Sequence, residues 1–279
     1  MNPSRNVVLI TGCSSGIGRA LALEWARRGH RVFATARRPD GIEGLDVPNV
    51  ERLRLDVTDA ASIAEAVAEV IRRAGQIDVL VNNAGYGLMG PALVDTPEDL
   101  RRQMETNVVG VLAMTQAVAP HMLRAGHGLI VNVGSASGIL TTPFAGAYCA
   151  SKAAVHALTD AMRLELEPLG LTVVSLQPGA IRSSFSDTAM QIVGTMSLAD
   201  SPYGPIREFI ERRATTSQDG AMDVDVFARK VVDALSRRRP PRILRFGRHS
   251  VMMPLMRWLL PIRMTDRILS RRFGLDRLT

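Results

Sequence analysis

Thr11-Gly12-Cys13-Ser14-Ser15-Gly16-Ile17-Gly18 sets the fold of this chain. An apolar run at residues 7–11 leads into it, and a helical pattern at 16–28 leaves it. Glycine allows positive φ and close approach of another backbone. A helix that starts here presents free N–H groups and the positive end of its dipole. Gly12, Ser14, Ser15, Gly16, Ile17 and Gly18 therefore form a candidate cradle for a pyrophosphate. The spacing is G-x-x-x-G-x-G rather than G-x-G-x-x-G, and a plain β–α turn is the competing reading. The place of the turn, after a first strand and before a helix, favours the cradle.

Outward from this turn, strand-like and helix-like stretches alternate. Apolar runs rich in Val, Ile and Leu recur at 31–34, 52–55, 79–81, 129–133 and 172–176. Helical patterns fill 60–74, 98–124 and 147–168. Such alternation predicts an α/β fold, a doubly wound parallel sheet with helices on both faces. No linker interrupts it before about residue 184, so one domain over 1–248 is expected. Within it, 183–220 reads as a substrate-binding loop with short helices. A helix is expected at 223–238 and a last strand at 242–246. Residues 249–279 read as a basic, amphipathic tail.

The 279 residues suffice for a large core, and 46% hydrophobic against 22% charged residues fits a folded globular chain. Cys13 and Cys149 provide neither a disulfide framework nor metal-ligand spacing, as suits a reducing cytoplasm. Strand-like residues begin at Val7, so no removable leader is expected. The net charge of +7 is unevenly placed: residues 236–279 hold twelve Lys/Arg and two Asp/Glu, a local +10, leaving −3 for the rest. The basic character belongs to the tail, which lacks aromatic interleaving and any nucleic-acid motif, so no nucleic-acid partner is expected.

The second strand runs out at Ala34-Thr35-Ala36-Arg37-Arg38. In dinucleotide folds this strand end lies beside the adenosine ribose, where an acid would bind the 2′-hydroxyl and repel a 2′-phosphate. Arg37 instead offers a guanidinium, which pairs a phosphate bidentately. NADP(H) is thus preferred, with NAD(H) kept open by Asp40 nearby. A solvated loop is the other reading of the two arginines.

Tyr148 and Lys152 are four apart on a helical pattern and so share a face. A nearby ammonium favours the phenolate and helps Tyr148 exchange a proton with a carbonyl oxygen. Ser135 follows the apolar run 129–133, at a strand end where ligands bind, and its hydroxyl can hold that oxygen. Ser137 competes for the role. Asn107 is a poor helix former inside a long helical pattern, either the holder of a water in a proton path or a satisfied core amide.

Thr11–Gly18, Asn82-Asn83-Ala84-Gly85, Asn107, Ser135, Tyr148-x-x-x-Lys152 and Pro178-Gly179 together resemble the short-chain dehydrogenase/reductase family, of the classical type, over about residues 5–184. The resemblance implies a Rossmann-type sheet of about seven strands. It implies a catalytic tetrad of Asn107, Ser135, Tyr148 and Lys152, with Lys152 also on the nicotinamide ribose. It places Asp56 and Val57 beside the adenine and Asn83, Ala84 and Gly85 along the cofactor channel. Pro178, Gly179 and Ile181 would contact the nicotinamide. The family commonly has a Thr soon after Pro-Gly; here Ser183 or Ser184 takes its place. The opening turn and the Ala-Thr-Ala-Arg-Arg segment look most like the steroid- and retinol-converting, NADP(H)-dependent branch.

This implies an oxidoreductase that interconverts an alcohol and a carbonyl on a small lipophilic substrate. Phe185, Met190, Ile192, Val193, Met196, Leu198 and Tyr203, with Met89, Leu140 and Phe144, are candidate pocket residues or ordinary packing. The run Val251 to Ile262 is too short to span a bilayer. It can lie peripherally on an anionic membrane, cover the substrate entrance or meet another subunit. The resemblance implies a homodimer or homotetramer through helices 98–124 and 147–168. A cytoplasmic enzyme, in part membrane-associated, is the expectation. The competing class is a non-catalytic NADP(H)-binding sensor or scaffold, which would have no need for Ser135 and Tyr148 together.

Overall fold

A computed structural model describes residues 5–198, 201–218 and 220–278 of the chain. The strands are β1 (Val7–Ile10), β2 (Arg31–Ala36), β3 (Val50–Arg54), β4 (Val79–Asn82), β5 (Gly128–Val133), β6 (Leu171–Leu176) and β7 (Ile243–Leu244). All pair in parallel, in the order β3-β2-β1-β4-β5-β6-β7. The helices are α1 (Gly16–Arg27), α2 (Ala60–Ala74), α3 (Pro97–Met104), α4 (Gly110–Ala125), α5 (Gly146–Leu166), α6 (Phe185–Gly194), α7 (Arg207–Thr215), α8 (Val224–Leu235), α9 (Met252–Leu259) and α10 (Ile262–Arg272). The doubly wound parallel sheet predicted from the strand–helix alternation is the fold.

The strand sequences dictate this layering. β1 and β4 are buried along their whole length, as parallel strands covered on both faces must be. On one face Trp25 and Leu21 of α1 pack with Phe227 and Val231 of α8. On the other, Val67 and Val70 of α2 pack with Met114 and Val118 of α4 and Met162 of α5. Strand order reverses direction between β1 and β4, which opens a crevice at their C-terminal ends. The glycine turn, Ser135 and the start of α5 all lie at that end.

Helix 60–74 has the predicted bounds because both ends are coded locally. Asp59 accepts the N–H groups of Ala61 (2.9 Å) and Ser62 (3.3 Å), and Gly75 closes the helix at φ 78°. The single helix expected over 98–124 is instead interrupted. α3 starts from a Thr96–Asp99 capping box, residues Glu105–Val109 form a π turn, and α4 follows. The interruption coincides with Asn107, whose amide bonds outside its own helix.

Beyond residue 182 the structure departs further from the sequence pattern. The last strand is only two residues long. The tail folds as two short helices, α9 and α10, separated where Leu260 is extended before Pro261. Helices α6 and α7 enclose a third core of Val193, Leu198, Ile206, Phe209 and Ile210, closed by Phe144 and by Phe273 after α10.

Candidate active site

The crevice holds one continuous cavity of about 800 Å³, running from the glycine turn to the tail. At its first end, Gly12 sits at φ 72° and Gly16 at φ 57°. A Cβ on Gly12 would come within 2.8 Å of the Ala84 Cα, so backbone approach requires glycine there. Asn83 fixes the turn: its Nδ2 donates to the carbonyls of Thr11 and Gly12, both at 2.9 Å. The Thr11 hydroxyl in turn accepts the N–H groups of Asn83 and Ala84, also at 2.9 Å. Ser15 precedes α1 in extended conformation and makes no side-chain cap, which leaves the first N–H groups of the helix for a ligand.

Gly12, Ser14, Ser15, Gly16 and Ile17 line the cavity. Gly18 does not; it packs behind the turn, against the Gly12 carbonyl and the Asn83 amide. Further along, the wall is made by Arg37, Asp56 and Val57, then by Asn83, Ala84 and Gly85. Arg38 and Asp40 are exposed and outside the lining. Burial opposes charge on Asp56, yet hydrogen bonds from Thr58 and the charges of Arg37 and Arg54 hold its carboxyl below the usual range. A free helix N-terminus, a glycine turn and a guanidinium at the strand end fit the phosphates of a dinucleotide.

Tyr148 and Lys152 face the middle of the cavity from α5, both buried. Burial raises the Tyr148 pKa, while a hydrogen bond with Ser135 and the charge of Arg213 pull the other way. Lys152 Nζ donates to the Val133 carbonyl at 2.8 Å and lies 6.0 Å from the centre of the Tyr148 ring. Burial brings its pKa down to about 8. The Ser135 hydroxyl accepts the N–H of Ser137 at 3.1 Å. Ser137 also reaches the cavity, but Ser135 is the serine bonded to Tyr148.

Asn107 is not in the cavity wall. Its Oδ1 accepts the Tyr86 N–H at 3.1 Å, and its Nδ2 donates to the Tyr86 carbonyl and the Ser151 hydroxyl, each at 3.0 Å. Ser151 passes the contact on to the Tyr148 carbonyl at 2.8 Å. The amide thus clamps the loop after β4 to the helix that carries Tyr148. Pro178, Gly179, Ile181, Ser183 and Ser184 all line the cavity. Ser183 comes closest to the cradle, its Cβ 3.2 Å from where a Gly16 Cβ would be.

Of the candidate pocket residues in 183–220, Phe185 lines the cavity, its ring 5.4 Å from that of Tyr148. Met89 and Leu140 join it. Met190 and Val193, turned inward by the helical period of α6, pack into the third core instead, together with Met196, Leu198 and Tyr203 beyond that helix. The remaining apolar wall is supplied by Met252, Met253 and Met256 of α9 and Ile268, Leu269 and Phe273 in and after α10.

A family model described as short chain dehydrogenase matches residues 6–192. The chain belongs to the short chain dehydrogenase family. Among relatives in this family, a 3-ketodihydrosphingosine reductase of Bacteroides thetaiotaomicron is 39% identical over 181 residues, 65% of this chain and 66% of that one. An NADPH-dependent 1-acyldihydroxyacetone phosphate reductase of Schizosaccharomyces pombe is 39% identical over 209 residues, 73% of this chain and 69% of that one. The solved structure of a short-chain dehydrogenase from Streptomyces avermitilis superposes with a TM-score of 0.79 at 30% identity, covering 98% of both chains.

Within this short chain dehydrogenase, several cavity residues carry no motif. Arg213 and the tail methionines are far in sequence from the Tyr148 region, and only the third dimension brings them together. His156 had a usable signal: it lies four residues after Lys152 on the same face of α5. Its Nε2 accepts the Ser135 N–H at 3.3 Å. Among the described residues no His/Cys/Asp/Glu group is arranged to hold a metal, and no helix is long and apolar enough to cross a membrane.

Proposed function

We propose that this protein is an NADP(H)-dependent oxidoreductase that interconverts a ketone and an alcohol on a lipophilic substrate, with Tyr148 as the proton donor and acceptor. The observation that carries the reading is the convergence of the glycine cradle, Ser135, Tyr148 and Lys152 on one cavity. Hydride exchange is the chemistry a nicotinamide supplies in such a site. Gly12 to Ile17 would hold the pyrophosphate, and Arg37 the 2′-phosphate. Asp56 and Val57 would flank the adenine, and Lys152 with Pro178, Gly179, Ile181 and Ser183 the nicotinamide end.

The protein's own part is positional and acid–base. Ser135 hydrogen-bonds the substrate oxygen and aligns it with the Tyr148 hydroxyl. Tyr148, protonated at neutral pH because burial raises its pKa, donates to that oxygen in reduction and takes the proton back in oxidation. Asn107, through Ser151, holds the backbone of Tyr148 in place. Arg37 in the wall, with Asp40 outside it, favours NADP(H) over NAD(H). The names of the two reductase relatives, one a keto compound and one an acyl compound, agree with a ketone on a long apolar body.

The described residues up to Arg248 would form the catalytic body, and those from His249 onward its roof. The roof's outer side is apolar: Trp258 is 83% and Ile262 63% exposed, with Arg257, Arg263 and Arg267 between and beside them. That face fits an anionic membrane surface, from which a lipophilic substrate would enter. Exposed Leu112 and Leu123 on α4 and Leu164 on α5 fit a homo-oligomer through these helices. The decisive experiment follows NADPH oxidation against a panel of medium- and long-chain ketones. Turnover with chain-length dependence supports the reading, and its complete absence across the panel returns the protein to the binding-only class.

A further inference from the structure

The substrate end of the cavity contains a charge that no ion pair among the described residues neutralises. Arg213 on α7 is 8% exposed, and its Nε donates to the Thr142 hydroxyl at 3.0 Å. None of the ion pairs among the described residues includes it. The other arginines of α7 are differently placed: Arg207 pairs with Glu211 at 2.8 Å, and Arg212 lies 5.2 Å above the Phe209 ring. Only Arg213 of the three turns into the cavity wall.

A guanidinium does not escape burial by losing its proton, so a buried one needs an anion. A neutral hydroxyl satisfies one of its five N–H donors and none of its charge. The groups that feel its field are Tyr148 and Cys149, with Arg272 as a second cation nearby. Arg213, Thr142, Arg272 and Tyr148 all face the same cavity. Around them the wall is apolar, from Leu140, Phe185, Met253, Met256 and Leu269. The glycine turn already provides for the cofactor's pyrophosphate at the opposite end.

We propose that the substrate is an amphipathic anion, whose carboxylate or phosphate group pairs with Arg213, assisted by Arg272, while its chain lies under α9 and α10. The two anions share planar or tetrahedral oxygens that a guanidinium fork grips bidentately. The proposal rests on the reading of Tyr148 only for the position of the reacting carbonyl; the anion site stands on Arg213 itself.

The test is isothermal titration of the full chain, in excess NADPH, with octanoate, octyl phosphate and octanol. At least one anion is expected to bind about tenfold or more tightly than the alcohol. The tighter of the two identifies the headgroup. Arg213→Gln is expected to bring that anion and the alcohol to within about twofold, and Arg213→Lys to restore part of the gap. Equal binding of all three ligands to the unaltered protein overturns the proposal, with no variant needed. So does an anion preference that survives Arg213→Gln. A parallel assay of NADPH oxidation with an oxo acid and its methyl ester separates the two readings. Reduction of both at equal kcat/KM overturns the anion site alone. Anion binding through Arg213 with no ketone reduced supports the site and removes the reductase.

Discussion

The imidazole of His156 accepts the backbone N–H of Ser135, Nε2 to N 3.3 Å, and so holds the serine that bonds Tyr148. Burial, with Lys152 as a repelling neighbour, brings the His156 pKa down to about 4 from 6.5. Between those values the unfolded chain binds more protons than the folded one. Stability is therefore complete above pH 6.5 and is lost as pH falls towards 4, by at most about 3 kcal/mol. His156→Gln can keep an acceptor for Ser135 without titrating. Urea denaturation from pH 7 downwards is expected to show a shallower acid loss in the variant, and identical slopes would exclude His156 as the cause.

Tyr148→Phe keeps the ring against Phe185 and removes the hydroxyl. Turnover is expected to fall about 10³-fold while cofactor binding, followed by NADPH fluorescence, is unchanged. In the unaltered protein, burial keeps Tyr148 protonated beyond its ordinary value of 10.0. Reduction, which uses the proton, is thus expected to persist through neutral pH and fall in alkali. Oxidation, which needs the site empty of that proton, rises with pH. Parallel profiles for the two directions, or reduction rising and oxidation falling with pH, would assign the proton to another group.

Arg37→Ala tests the cofactor preference. Loss of a charged hydrogen-bond pair to the 2′-phosphate is expected to raise KM for NADPH about tenfold or more and leave KM for NADH within about twofold. A parallel loss for both cofactors would make Arg37 a support of the turn rather than a phosphate ligand.

Trp258 and Leu259 carry the membrane prediction. The unaltered protein is expected to float with phosphatidylserine vesicles at low salt and to be released as salt screens the arginines. Trp258→Glu with Leu259→Glu is expected to stay in the soluble fraction. Flotation that is unaffected by these changes would place the contact elsewhere.

The cofactor half was legible because its physics is local. A turn that needs glycine at Gly12 and Gly16, a strand before it and a helix after it leave a pattern eight residues long. Helix 60–74 was readable for the same reason, from Asp59 at one end and Gly75 at the other. The π turn at Glu105–Val109 was not, because its cause is the bond from Asn107 to Tyr86, twenty-one positions away. Arg213 carries no motif in the sequence. Its burial follows from Thr142 and the tail closing over it, which no periodicity in α7 records. The methionines expected to form the pocket were assigned by composition. Those in α6 and just after it went to the third core, and α9 supplied the pocket methionines from sixty residues further on.

The family match ends at residue 192, while the apolar cover of the cavity comes from residues 252–273. On the proposed reading, proton chemistry and much of the molecular taste are thus written in different stretches of the polypeptide, joined at a shared wall. Rewriting the later stretch, by lengthening α9 or recasting its side chains, would on that reading redirect the protein to new molecules without retuning Tyr148.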